Sequence, residues 1–357
     1  MQEDRLVQTF LDLVKINSPS GHEEKVREYV SGFVKKLGLK PIRDAHGNLI
    51  IKVVGIGEPL LLGAHLDTVE PGRNIKPQIK DEIIRSGGDT ILGADNKVTV
   101  AAILEVLKFI IENKIQTKSL DVVFTLGEET DFGSEKLDYS KIDAKRGYIF
   151  DSFVPVGYIV IASPFCNDFK IKVIGKPAHA AWPDEAINAL KILAIAISKI
   201  KLGKINGKTI ANIGIVRSGD VSNTIPGEAI IKGEVRSYSK EEVVRYSNLI
   251  INKFRETASR FGAKIEAELI ESCPGYEYSP SDEFVGTTEK LIKKFGLTSS
   301  LVKKWACSDA NIFNSRDMQI LNLGDGGVNA HTVDEYVSVK DLLKLSELVL
   351  FLVSSKN

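Results

Sequence analysis

The chain has 357 residues, with 47 Lys+Arg against 47 Asp+Glu, so its formal net charge is zero, and 43% of it is hydrophobic. That balance removes the electrostatic basis for a nucleic-acid or anionic-membrane partner, and the composition excludes wholesale disorder. Three cysteines without a CxxC spacing (Cys166, Cys273 and Cys307) make neither a disulfide framework nor a zinc finger, and no 18-residue apolar run is present to span a membrane.

Leu6, Phe10, Leu13 and Val14 fall at helical spacing until Asn17-Ser18-Pro19 stops the helix. Ser20 followed by Glu23 resembles a capping box for a second helix, striped by Val26, Val30, Phe33 and Leu37 and ended by Gly38. Short apolar runs at 48–54 and 59–64, bounded by Gly and Pro, read as strands. A helix over 98–111, a strand over 120–126 and a strand ending at Asp151 follow. Buried strands alternating with helices are the α/β signature.

Beyond Pro164 the texture changes. Residues 169–174 alternate apolar and polar, as a half-buried antiparallel strand does. A helix over 184–200, strands over 209–216 and 228–235, a helix over 241–261 and a strand over 263–270 complete a β-α-β-β-α-β order, the ferredoxin-like arrangement. After Pro274 the α/β texture returns, with a helix near 284–295, the run 319–324 and a last amphipathic helix from Lys340. The predicted organisation is a discontinuous α/β domain, 1–165 and 273–357, interrupted by an α+β domain over 166–272. Cys166 and Cys273 fall at the two crossings, where a hinge disulfide and reduced thiols are the alternatives. The N-terminus mixes acids and bases, unlike a signal peptide, so a reducing cytoplasm is expected.

The chemistry-bearing residues sit after apolar runs. In Gly63-Ala-His-Leu-Asp-Thr, His65 and Asp67 project to one side of an extended segment, and a carboxylate beside an imidazole orients it as a metal ligand requires; a plain His–Asp hydrogen bond is the alternative. Asp95, before a helix, fits an N-terminal cap or a metal-bridging carboxylate. Glu128 and Glu129 end a buried strand, where two adjacent carboxylates repel unless something positive offsets them. Asp151 ends another strand, and His331 follows the flexible Gly324-Asp-Gly-Gly. Each alone reads equally as a turn or loop residue. Together they fall at successive strand ends on one presumed sheet edge, and five mixed His and carboxylate donors suit two zinc, cobalt or manganese ions. His22 and His46 have no partner at ligand spacing, and Lys97 reads only as a helix-start residue.

HLDTV, GADNK, GEE, the downstream Asp151 and HTVDE, in that order, resemble the M20 family of dinuclear metallopeptidases over essentially the whole chain, and within it the peptidase T-like aminopeptidases. The resemblance implies a zinc-exopeptidase-like catalytic domain with an inserted ferredoxin-like lid or dimerisation domain. It implies two divalent ions, zinc first with cobalt or manganese as alternatives. One would be held by His65 and Asp151, the other by Glu129 and His331, with Asp95 bridging, Asp67 orienting His65 and Glu128 as general base. It also implies a cis Asp95–Asn96 peptide. His179, in Pro-Ala-His-Ala-Ala-Trp-Pro, resembles the family's substrate-contacting His, and Asn223 and Arg236 match positions that contact substrate; structural roles for all three are the alternatives. The expected function is an exopeptidase of the tripeptidase type acting on short peptides, as a homodimer through the lid, with lid closure over the metals. A rival is an N-acyl amino acid amidohydrolase of the same family, whose segment around the bridging Asp resembles Gly-Arg-Gly-x-x-Asp-Met-Lys rather than Leu-Gly-Ala-Asp-Asn-Lys. A non-catalytic peptide-binding scaffold would lack a ligand or the base, and neither is missing.

Overall fold

Four of the apolar runs become adjacent parallel strands, and their order sets everything that follows. In the computed structural model, which describes residues 2–355, the strands Lys118–Thr125, Ile56–His65, Arg146–Phe150 and Gln319–Leu323 lie side by side. Leu49–Val53 and Pro41–Arg43 extend one side antiparallel, and Tyr158–Ser163 runs antiparallel on the other. Continuous apolar sequence is what a parallel strand buried on both faces requires. Leu61, Val122, Val123, Ile149 and Leu321 are accordingly at or near zero exposure. Helices Glu3–Lys15, Ala94–Asn113 and Val339–Val353 pack on one another, and their Phe10, Ile103 and Leu345 belong to one continuous core. The register pairs His65 with Thr125 and Phe150 with Leu323, so all four strands deliver their carboxyl ends to the same edge.

The chain divides into two compact units, Met1–Ile161 with Tyr278–Asn357, and Ala162–Glu277. The second has its own core, in which helices Ala189–Ile197 and Lys240–Arg260 cover one face of an antiparallel sheet. Taking Phe165–Ile174, Thr209–Ser218, Glu228–Ser237 and Lys264–Cys273 as first to fourth, the sheet order is 2-3-1-4, the ferredoxin-like topology. Cys166 and Cys273 face each other in register on neighbouring strands as thiols.

Several expectations are corrected. The helix expected over 184–200 is a 3-10 turn, Pro183–Glu185, followed by a shorter helix, Ala189–Ile197, whose start Asn188 caps by accepting from the Lys191 N–H. Pro183 and the extended Ala186 prevent an earlier start. The capping box at Ser20 and Glu23 does not form. Helix Glu24–Lys36 begins without a side-chain cap, and both side chains turn instead toward the site described below. A small sheet of Pro77–Lys80, Ile83–Ser86 and Tyr336–Ser338 had no reading in the sequence, because its strands are three or four residues long.

Candidate metal centre

All four parallel strands end in a turn that carries a chemistry-bearing side chain. His65 is the last residue of its strand, Asp151 follows Phe150 directly, Glu128 and Glu129 come three and four residues after Thr125, and His331 lies in the loop after Leu323. The turn before Glu128 and the helix start before Asp95 each open on a glycine in the left-handed conformation, Gly127 (φ 65°) and Gly93 (φ 69°). Only glycine adopts that conformation without strain, and it lets a carboxylate follow a buried strand or loop at once. His331 itself sits at φ 63°, a backbone conformation that an imidazole side chain rarely takes up.

The side chains converge. His65 Nε2 lies 3.0 Å from Asp95 Oδ1 and 3.9 Å from Asp151 Oδ1. His331 Nε2 lies 2.9 Å from Asp95 Oδ2 and 2.8 Å from Glu129 Oε1. Two triples therefore form, His65–Asp95–Asp151 and Asp95–Glu129–His331, each with its donor atoms within 4.8 Å of one another, and they share Asp95. Glu128 makes a further close group with His65 and Glu129. No lysine or arginine pairs with Asp95, Glu128, Glu129 or Asp151 among the described residues. Four carboxylates thus meet two imidazoles in a largely buried place. That donor set and charge excess fit divalent cations, and zinc, cobalt and manganese all accept it.

The electrostatics agree. Burial holds the carboxyls of Glu128 and Asp151 well above their ordinary value, with neighbouring carboxylates adding to the push, and it raises Glu129 as well. Burial works against charge on His65, but the carboxylates of Asp67 and Asp95 beside it outweigh that and raise its pKa. Hydrogen bonds to Asp95 and Glu129 lift His331 to about 10. Without cations, then, the site holds protons where positive charge belongs.

Other groups hold these in place. Asp67 is fully buried, and its carboxylate accepts from Ser20 Oγ at 2.7 Å and from the backbone N–H groups of Glu128 and Glu129 at 3.0 and 3.1 Å. Its Oδ1 also lies 3.3 Å from His65 Nδ1, close enough to fix the charge although the ring nitrogen lacks the alignment of a formed hydrogen bond. Burial opposes charge on Asp67, but these donors pull it down to about 2, so it is a carboxylate throughout the neutral range. Asn96 donates to Asp151 Oδ1 at 3.0 Å and to Phe150 O at 2.7 Å, and the Asp95–Asn96 peptide is cis. Asn322 brackets the Asp151 backbone, accepting from its N–H and donating to its carbonyl. Glu23 accepts from Gly127 N–H at 3.0 Å. Buried Asp309 accepts from Thr125 Oγ1 and Ser134 Oγ. Lys97, 1% exposed, donates to Ser18 Oγ and to the carbonyls of Leu66 and Asp67, clamping the His65 strand end. Sequence reasoning missed Ser20, Glu23, Asn96, Asn322 and Lys97 in these roles. Asn96 and Lys97 had one local signal, a polar residue within two positions of a ligand candidate, and Ser20, Glu23 and Asn322 had none.

In the second unit, His179 ends a two-residue strand, and Asn223 lies in the turn just before the strand Thr224–Ile225 that pairs with it, joined by Ala180 N–H to Asn223 O at 2.8 Å. Both are exposed. His179 Nδ1 accepts from Ala181 N–H at 3.1 Å, which makes Nε2 the protonated nitrogen and a donor. The His179 ring also lies 5.1 Å from that of Trp182. The structure does not bring Arg236 to them. It stands near the far end of the strand Glu228–Ser237, and its guanidinium makes a two-point pair with Glu234.

The fold and the site together define an α/β protein with a histidine–carboxylate centre at the carboxyl edge of its sheet, the position where open α/β sheets bind ligands. The chain belongs to peptidase family M20/M25/M40, whose model matches residues 61–355. Among solved structures it is similar to a tripeptidase from Staphylococcus aureus, at 34% identity and a TM-score of 0.96, covering 99% of this chain and 98% of that one. It is also similar to the aminopeptidase PepT from Bacillus cereus, at 32% identity and a TM-score of 0.92 with the same coverage. The protein YqjE of Bacillus subtilis is 33% identical over 99% of this chain and 98% of its own length. No helix among the described residues is long and apolar enough to cross a membrane.

Proposed function

We infer that the protein is a metal-dependent aminopeptidase of the tripeptidase type, cleaving short peptides in the cytoplasm. The observation that carries this reading is the pair of donor triples sharing Asp95, with Glu128 beside them and committed to neither. His65 and Asp151 would hold one ion, Glu129 and His331 the other, and Asp95 both. Divalent ions bound there, zinc first, supply Lewis acidity toward a peptide carbonyl and lower the pKa of water.

Glu128 supplies the proton traffic. No side chain donates to its carboxylate among the described residues, while its backbone is tied to Asp67, so the group is aimed but chemically free. It takes a proton from the attacking water and passes it to the leaving amine, and burial gives it the raised proton affinity that both transfers need. Asp67 keeps His65 oriented and, through the same carboxylate, fixes where Glu128 and Glu129 start. His179 offers a protonated Nε2 suited to a developing oxyanion, and Asn223 a neighbouring amide. Arg236 is proposed as a partner for the peptide carboxylate, in exchange for Glu234. The inserted unit is proposed as the lid and homodimer surface, and light scattering that gives a monomer overturns the latter.

The reading is tested with a panel of tripeptides, dipeptides and N-acetyl amino acids on metal-loaded and chelator-stripped protein. Hydrolysis of tripeptides from the amino end, abolished by stripping and restored by zinc, cobalt or manganese, is the expected result. Faster turnover of N-acetyl amino acids would install the amidohydrolase reading instead.

A further inference from the structure

Glu335 lies four residues beyond His331, is 1% exposed, and belongs to neither donor triple. Its Oε2 accepts from the backbone N–H of Gly93 at 2.6 Å and its Oε1 from that of Asp95 at 3.1 Å. These donors lie at the start of the helix Ala94–Asn113, where N–H groups have no partner within the helix. A hydrophobic side chain would leave both donors buried and unmet, and a glutamine would set its own N–H₂ against one of them. The loop that carries Glu335 is closed on itself. Val328 and Tyr336 exchange two backbone hydrogen bonds at 3.0 Å, and Glu335 N–H donates to Thr332 O at 3.1 Å. His331 and Glu335 are therefore parts of one small rigid turn. That turn grips Asp95 twice, at the side chain through His331 Nε2 and at the backbone through Glu335.

We propose that Glu335 is a positioning residue for the metal centre, fixing the backbone of the shared ligand Asp95 relative to His331. The proposal rests on the two-ion reading above. Because Asp95 belongs to both triples, a displaced backbone there misplaces a donor to both ions.

The test compares the wild type with E335Q, both stripped by chelator. Each is titrated with Zn2+ against a chromophoric competitor and with Co2+ followed by its visible absorption, while the stripped proteins are melted in parallel. The wild type takes up two equivalents. E335Q binds them about 10- to 100-fold more weakly, the usual cost of losing a group that orients a ligand, and its Co2+ spectrum changes. The stripped E335Q melts a few degrees below the wild type at most, the cost of one unmet backbone N–H. Superimposable titrations overturn the proposal, and so does a stripped E335Q that melts well below the wild type with unchanged affinity, which marks a structural role alone. If E335Q does not fold, E335D, which keeps the charge and retracts it by one methylene, is judged by the same titration. A wild type that binds no ion overturns the two-ion reading and this proposal with it, whereas two equivalents bound equally by wild type and variant overturn the proposal only.

Discussion

His65 and His179 each stand in a short sequence motif, yet the two units treat them in opposite ways. His65 is 2% exposed and faces three carboxylates, while His179 is exposed and its Nδ1 accepts from the backbone N–H of Ala181. The first unit builds its centre complete: each donor side chain has partners, and several backbone groups around it are clamped. The second presents donors on a two-strand ribbon that wait for something to arrive. A centre that must hold cations in fixed geometry needs rigid support, whereas groups that meet a passing substrate need access. Substitutions in the first unit are therefore expected to change metal content or chemistry, and those in the second to change substrate handling alone.

The strongest test of that contrast is Glu128→Gln. It is expected to lower peptide hydrolysis about 10²- to 10⁴-fold while elemental analysis finds the metal content unchanged; full activity with metals bound would break the assignment of the base. His179→Ala is expected to lower kcat about 10²- to 10³-fold with unaltered metal uptake. Loss of metal in that variant would erase the distinction between the two units. Asp67→Asn, which weakens the hold on His65, is expected to reduce metal affinity about 10- to 100-fold in a competition titration.

Proton release sharpens the same picture. His331, lifted to about 10, is protonated at pH 7 in the metal-free protein, and metal needs it neutral. Zinc uptake at pH 7 is therefore expected to release protons, seen as heats that vary with buffer ionisation enthalpy. For the metal-free protein the sign is opposite. The His331 contribution to stability is fully present below about 6.5, the ordinary value, and is lost as pH climbs toward about 10, whereas metal binding strengthens over that window. The melting gap between loaded and stripped protein should widen with pH; a constant gap would contradict the protonation states described. The smallest effect belongs to Lys97→Met. It strips donors from two buried carbonyls and is expected to cost about 1–3 kcal/mol in denaturant unfolding.

Much of the centre was legible because strands announce themselves. The apolar runs ending at His65, Thr125, Phe150 and Leu323 locate strand ends without any knowledge of the neighbours, and a polar residue just past such an end is conspicuous. The β-α-β-β-α-β order of the second unit was legible for the same reason, through alternation. What stayed hidden had no period to reveal it. Glu335 meets Gly93 across 242 positions and Glu23 meets Gly127 across 104, and a carboxylate that accepts backbone N–H groups leaves no pattern in either segment. The three-residue spacing of Ser20 and Glu23 is a real capping signal, but Asp67 and Gly127 are their partners once the sheet has formed.

The sequence by itself determined the two layers of texture, the inserted topology and the residue types of the donor set. Tertiary structure alone decided that Asp95 belongs to two donor groups, that Asp67 and Glu335 grip backbone rather than solvent, and that Arg236 stands apart from His179. Hydrophobic periodicity is written along the chain, one element at a time, whereas hydrogen bonds between turns exist only after strand order and register have brought distant segments within about 3 Å.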